Sequence, residues 1–516
     1  MLASVSTVAF VGVCTIDVSV QVHISNGIPA FHIVGMPDKV VAESRERIRA
    51  ALSSVNAVLP SKRITVNLSP ANLYKEGSHY DLPIATAILA VMRVIKNVQK
   101  LSTYIILGEL SLDGSIVAVS GILAASASAR KIGKGIISPY CNAKEASLIG
   151  GIDVVSPKHL TTLIDFLNDN ENSLDSDEIV HFHATDTGIA KFDSEDSSPI
   201  IPNMRDVKGQ VIAKRASEIA AAGRHNLLMI GPPGTGKSMI AKRIPGILPD
   251  LSVEEIISVN VIHSITGGGV ERLSTSRPFR EPHSSASMVA MIGGGIRATP
   301  GEITMAHNGI LFLDELPEFS RSVLESLRQP LEDKKVVISR AHAHVTYPAN
   351  FQLIAAMNPC KCGYLHNARK RCVRAPKCAT EYIQRISGPI MSRIDIKVEV
   401  NAVSEFSTLM NCENQSSESI KTRVMQARLL QDSRYGGRDK SNAALSANDM
   451  ENFVLSALNE GAKKLFEYTL KEGNLSGRDS SKILKVSRTI SDLSSSTTIT
   501  EEHLKEAICF FQGVIA

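Results

Sequence analysis

The chain has 516 residues, 43% hydrophobic and 21% charged, with a formal net charge of +4. That length exceeds one core and implies two to four domains, and no apolar run is long enough for a membrane span. The mild charge neither demands nor excludes nucleic acid. The absence of Trp and an aromatic content of 4% argue against a binding mode dominated by stacking on single-stranded bases.

In chain order, residues 1–167 mix short alternating strands (VQVHI, RITVNL, YIILGEL) with helical stretches such as VVAESRERIRAAL, predicting an α+β domain. The apolar N-terminus has no basic region before it and is interrupted by Asp17, so it reads as strands rather than an export signal. Residues 168–204 are rich in Asp and Glu among Asn and Ser and read as a solvated acidic linker. Residues 205–400 carry the pattern of an α/β nucleotide domain. Residues 401–516 are helical, with periodic runs such as SIKTRVMQARLLQ and SSKILKVSRTISDLSS, and are expected to form a lid.

The most informative stretch is Gly231-Pro232-Pro233-Gly234-Thr235-Gly236-Lys237-Ser238. It satisfies the G-x4-G-K-[ST] phosphate loop, preceded by an apolar strand (NLLMI) and followed by a helical run. Glycines let backbone N–H groups face phosphate oxygens, Lys237 is placed for the β- and γ-phosphates, and Ser238 for Mg2+. Downstream, GILFLDE predicts a buried strand with Asp314 at its carboxyl end as a Mg2+ ligand. Glu315 beside it is the natural base for an attacking water, which favours ATP hydrolysis over binding alone. A further buried strand, FQLIAAM, ends at Asn358, suited to the γ-phosphate or the water. Arg393 and Arg478 are candidates for γ-phosphate sensing or for a finger offered to a neighbour.

Four of eight cysteines, Cys360, Cys362, Cys372 and Cys378, fall within one short segment. Ligand number and type match a structural zinc site, which we favour over four reduced thiols, with His366 as a spare ligand. The segment carries Lys361, Arg369, Lys370, Arg371, Arg374 and Lys377 without an acid, so it is either a phosphate contact or a solvated basic loop. No export signal and no disulfide framework point to a reducing, cytoplasmic setting.

Together these residues resemble the ComM/YifB group of magnesium-chelatase-like AAA+ ATPases over nearly the whole chain. GIPAFHIVGMPDKVVAESRERIRAAL and KRITVNLSPANLYKEGSHYDLPIA resemble its N-terminal domain. RPFREPHSSAS, PGEITMAHNGILFLDELPEFSRSVLESLRQPLED and AAMNPCKCGY resemble its ATPase core, and LSGRDSSKILKVSRTISDL its C-terminal domain. The resemblance implies an AAA+ P-loop core with a helical lid after a Lon-protease-like N-terminal domain. It assigns ATP and Mg2+ chemistry to Lys237, Ser238, Asp314 and Glu315. Asn358 becomes a sensor, Arg393 a finger acting on the adjacent subunit, and Arg478 the lid sensor.

It further implies a ring, a hexamer, working as a DNA motor in branch migration during recombination or natural transformation. Arg340, His342 and His344, in the run 334–350 that alternates like a hairpin, become pore residues or the exposed face of that hairpin. The run 277–301, with Arg277, Arg280 and Arg297, is a second insertion. Two positions depart from the group's pattern: Ser392 stands where Asp usually precedes the finger, and Arg374 where a second Cys often stands. His79 and Leu123 occupy the nucleophile and lysine positions of a Lon-type protease, so no peptidase activity is expected. The rival reading is an ATPase subunit of a metal-chelatase complex that remodels a protein partner.

Overall fold

The computed structural model describes residues 2–170, 177–184, 201–266, 273–295, 298–340, 343–363, 365, 372, 374–401, 415–437, 440–472 and 475–513. Arg297, His342, His366, Arg369, Lys370 and Arg371 lie outside them, as do the side chains of Arg340 and His344.

In the N-terminal region, β1 (Leu2–Val11), β2 (Cys14–Ser25), β3 (Ala30–Val34), β4 (Arg63–Ser69), β5 (Tyr104–Ile106), β6 (Gly135–Ile137), β7 (Val154–Pro157) and β8 (Ile179–Phe182) form one mixed sheet, in the order β8-β7-β6-β5-β1-β2-β4-β3. Several helices pack against it, among them two in the main core of the region. The first, α1 (Lys39–Ser54), is capped by Asp38, whose carboxylate accepts from the Val41 N–H at 2.7 Å. It buries Val41, Ile48, Ala51 and Leu52, one helical face. The second, α2 (Asp81–Val91), is apolar all round and buried throughout.

His79, at the position read as a lost nucleophile, is part of this packing. Its ring lies 5.2 Å from Phe10 and 4.1 Å from Tyr80, and Nε2 donates to the Val8 carbonyl at 3.0 Å. Leu123 is fully buried. His79 is thus held as a packing residue, and Leu123 has no polar group.

The central region is built on five parallel strands: β9 (Leu227–Ile230), β10 (Phe279–Arg280), β11 (Ile310–Leu313), β12 (Gln352–Met357) and β13 (Ile396–Glu399). Their order is β10-β11-β12-β9-β13. β9, β11 and β12 are buried along their whole length, which explains their unbroken apolar runs. A hairpin, Lys335–Arg340 with Ala343–Pro348, precedes β12; Val336, Ile338, Val345 and Tyr347 turn inward.

The helical region packs on this sheet rather than standing apart. α3 (Val211–Gly223), α4 (Ser417–Tyr435), α5 (Gly477–Leu493) and α6 (Glu501–Gln512) share one core with β9 and β13, including Ile219, Val398, Val424, Ile483, Leu504 and Phe510. Polar bonds fix the arrangement. Thr489 meets His225 Nε2 at 2.7 Å, Gln431 donates to the Ala222 carbonyl at 3.0 Å, and Arg434 pairs with buried Asp492 at 2.5 Å.

Two contacts seat the N-terminal region on the central region. Leu123, Ala124, Leu148 and Ile149 pack with Leu251, Ile256, Val259 and Leu273, and Ser264 donates to buried Glu145 at 2.5 Å. The turn between β1 and β2 touches the hairpin: a Cβ at Gly12 (φ +63°) would come 2.6 Å from Val345. Arg277 and Arg280 are held internally. Arg277 donates to the Pro249 and Asn308 carbonyls at 2.6 and 2.7 Å, and Arg280 grips Glu302 at 2.6 and 2.8 Å.

Burial lowers two histidines, His79 and His307, from 6.5 to about 4. At His307 burial is joined by the charge of Arg224, and Nδ1 accepts the Asn350 N–H at 3.1 Å, a bond that protonation would break. In the unfolded chain both regain ordinary values. Between pH 6.5 and about 4 the unfolded state therefore binds more protons. Stability should be full above about pH 6.5 and fall on acidification, by on the order of 3 kcal/mol per histidine at the acid end. Urea midpoints across this range check it, and His79→Leu should remove about one proton's worth of the slope. An unchanged slope in that variant would show that His79 is already charged in the folded protein.

Candidate nucleotide site

The phosphate loop follows β9 and turns into a short helix, Lys237–Ala241. Its glycines have separate reasons. A Cβ at Gly231 would lie 2.1 Å from the Val400 carbonyl oxygen, so only glycine lets the loop leave the sheet there. Gly234 and Gly236 hold φ of +79° and +92°, which curls the backbone. The loop is braced from within by Thr235 Oγ1, which donates to the Pro232 carbonyl at 3.0 Å. Gln210, itself left-handed at φ +54°, braces it from outside by donating to the Thr235 and Asn401 carbonyls at 3.1 and 2.7 Å. No motif in the sequence singles out Gln210.

Lys237 is 8% exposed. Its ammonium donates to the Gly231 and Pro232 carbonyls at 2.7 and 2.8 Å and to Asn358 Oδ1 at 3.3 Å. Burial lowers its pKa, opposed by the nearby charges of Asp314 and Glu315. Ser238 Oγ donates to Asp314 Oδ2 at 2.5 Å, and Asp314 Oδ1 accepts the Glu315 N–H at 2.9 Å. Glu315 is exposed and left-handed at φ +52°, an uncommon conformation for a residue with a Cβ. Lys237, Ser238, Asp314, Glu315 and Asn358 thus meet at the carboxyl ends of β9, β11 and β12, around a cavity of about 370 Å3 that the loop also lines.

The set has the parts that a triphosphate and a divalent ion require: inward amides, a lysine, a hydroxyl beside a carboxylate, and a second carboxylate facing solvent. Ser238 and Asp314 would hold Mg2+, which neutralises charge across the β- and γ-phosphates.

Arg393 and Arg478 do not reach this cavity. They line another, of about 460 Å3, with Lys334, Asn226, Gln352 and Lys482. Asn226 precedes β9 and Gln352 opens β12, so this cavity lies at the amino ends of the strands, opposite the phosphate loop. Within one chain Arg478 stands away from its own phosphate loop, because α5 is tied to α3 and His225 at that far end. Arg393 is 11% exposed, ion-paired with Glu332, and donates to the Pro389 carbonyl at 2.7 Å. Arg385 pairs with Glu318 at 3.1 Å.

Beyond Asn358 the chain enters the cysteine segment. The ligand sulfurs of Cys360, Cys362, Cys372 and Cys378 all lie within 4.8 Å of one another, with Cys360 and Cys362 at 3.2 Å. A tetrahedral zinc with bonds of about 2.3 Å needs sulfurs about 3.8 Å apart, so the donor set fits that ion. Hydrogen bonding from Cys362 raises the Cys372 thiol. The segment rests on the phosphate loop: a Cβ at Gly363 (φ +80°) would come 2.5 Å from Pro233 Cδ.

Comparison with known proteins agrees with this layout. The family described as magnesium chelatase, subunit ChlI, matches residues 203–408. The subunit ChlI of Mg-chelatase description matches 20–142, and the ChlI C-terminal description matches 414–510. YifB of Salmonella typhimurium is 40% identical over 516 residues, covering 99% of this chain and 97% of that protein. YifB of Escherichia coli is 41% identical with the same coverage, and the competence protein ComM of Haemophilus influenzae is 41% identical, covering 98% and 97%. With an AAA+-like parallel sheet, a helical C-terminal region and similarity along its full length, the chain belongs to the magnesium chelatase subunit ChlI family, alongside YifB and ComM.

Proposed function

We propose that this protein is an ATP-hydrolysing AAA+ motor that acts on DNA as a homo-oligomeric ring, a hexamer, promoting branch migration in recombination. The observation that carries the hydrolytic reading is the convergence of Lys237, Ser238, Asp314, Glu315 and Asn358 on one cavity. The ring reading draws support from charge placement. Arg393 and Arg478 sit at the opposite end of the sheet from their own phosphate loop, where they can serve a neighbour's nucleotide. The DNA reading draws support from the relative named a competence protein and from the basic cysteine segment. Among the described residues no helix is long and apolar enough to cross a membrane; we place the motor in the cytoplasm.

ATPase rates with branched, single-stranded and duplex DNA test the reading. Stimulation by DNA, strongest with branched substrates, is expected. A rate indifferent to all three favours the remodeller of a protein partner.

We also assign zinc to Cys360, Cys362, Cys372 and Cys378. Freshly purified protein should retain about one zinc per chain through dialysis, and Cys360→Ser should lose it. Because Gly363 abuts Pro233, loss of the ion should also weaken ATP binding. Elemental analysis showing equal retained zinc in both proteins would overturn the assignment.

A further inference from the structure

A second group of side chains able to ligate a metal lies outside the nucleotide cavity, on the edge of the N-terminal sheet. β8 pairs antiparallel with β7, Phe182 opposite Val154 and His181 opposite Val155. His183, one step further, therefore comes opposite Asp153. His181 and His183 are two apart on one extended run, so both rings stand on the same face. Extended geometry separates such neighbours by about 6.6 Å. Their ring centroids are only 4.1 Å apart, so the rings lean together.

The carboxylate completes the group. Asp153 Oδ1 is 3.9 Å from His183 Nδ1, and it also accepts the Ala184 N–H at 3.0 Å, which orients it. Phe166 meets the His181 ring edge-on at 5.7 Å and limits its rotation. One ligand atom from each of Asp153, His181 and His183 lies within 4.8 Å of the others. A tetrahedral ion with bonds of about 2.0–2.1 Å needs ligand atoms about 3.3 Å apart, a closure within reach of small side-chain rotations.

We propose that Asp153, His181 and His183 form a second metal site, taking a divalent first-row ion of borderline softness such as Zn2+. Two imidazoles and one carboxylate suit that class, and three protein ligands leave positions for water. The exposed edge gives the ion free access. Bound there, it ties β8 to β7 through side chains on or beside both strands. The site is independent of the motor reading and of the cysteine cluster.

Equilibrium dialysis of the full chain at micromolar free Zn2+, followed by elemental analysis, tests it. The wild type should bind one ion more than His181→Ala/His183→Ala. Asp153→Asn should weaken that ion at least by the ~10–100-fold typical of losing an outer-shell partner. With Co2+ the same ion should give a spectrum without thiolate-to-cobalt charge transfer, separating it from the cysteine site. Equal ion counts in wild type and the double-histidine variant, or a difference that emerges only at millimolar Zn2+, would overturn the proposal.

Discussion

Arg393→Ala should bind ATP and turn it over about 10³-fold more slowly, and mixing it with Lys237→Ala should restore part of the activity. A Lys237→Ala chain is inactive at its own loop yet still presents Arg393 to a neighbour. In mixed rings some interfaces therefore pair an intact loop with an intact finger. Arg393 also holds Glu332 and the Pro389 carbonyl, so a folding role has to be separated from a catalytic one. Complementation makes that separation, because a misfolded Arg393→Ala subunit would offer no working phosphate loop to its neighbour's finger. Arg393→Lys adds a second: it keeps the charge and the Glu332 pair but loses the planar fork, so it should stay impaired. If mixed rings form and no activity returns, the finger is another residue, with Arg385 next to test.

The phosphate loop was legible because its motif encodes its own geometry. Gly231, Gly234 and Gly236 are required by one close approach and two left-handed turns, all local. Asp314 and Asn358 were legible because each ends an apolar run that has to be a buried strand, and parallel strands bring their carboxyl ends together. Arg478 was legible as a residue but not as a position. Its placement depends on bonds between α5 and groups more than 200 residues away, such as Thr489 with His225 (264 apart), that leave no local pattern.

The same holds for the cysteine segment. Ligand count could be read from spacing, whereas its seat on Pro233 depends on a tertiary contact at a single glycine. Likewise the partners of Arg277 and Arg280, internal carbonyls and Glu302, lie 22–31 residues away along the chain and leave no local pattern.

Glu315→Gln should keep ATP affinity and lower turnover by about 10²–10⁴-fold, the range that general base catalysis supplies. Glu315 is exposed at the cavity while Asp314 is tied to Ser238, so the two carboxylates divide the work by environment. Asp314 is engaged with the Ser238 hydroxyl that we assign to Mg2+, and Glu315 is the one we assign to polarise water. The substitution is conservative in the respects that hold the loop. Glutamine has the same length, tolerates the same backbone, and keeps the N–H that Asp314 accepts at 2.9 Å. It removes only the charge. Lys237→Ala differs, because it strips a buried ammonium held by two loop carbonyls and should weaken ATP binding as well as turnover. Nucleotide binding by calorimetry beside single-turnover hydrolysis separates the cases. Wild-type turnover in Glu315→Gln would remove Glu315 from the chemistry and return the role of base to Asp314 or to a neighbouring subunit.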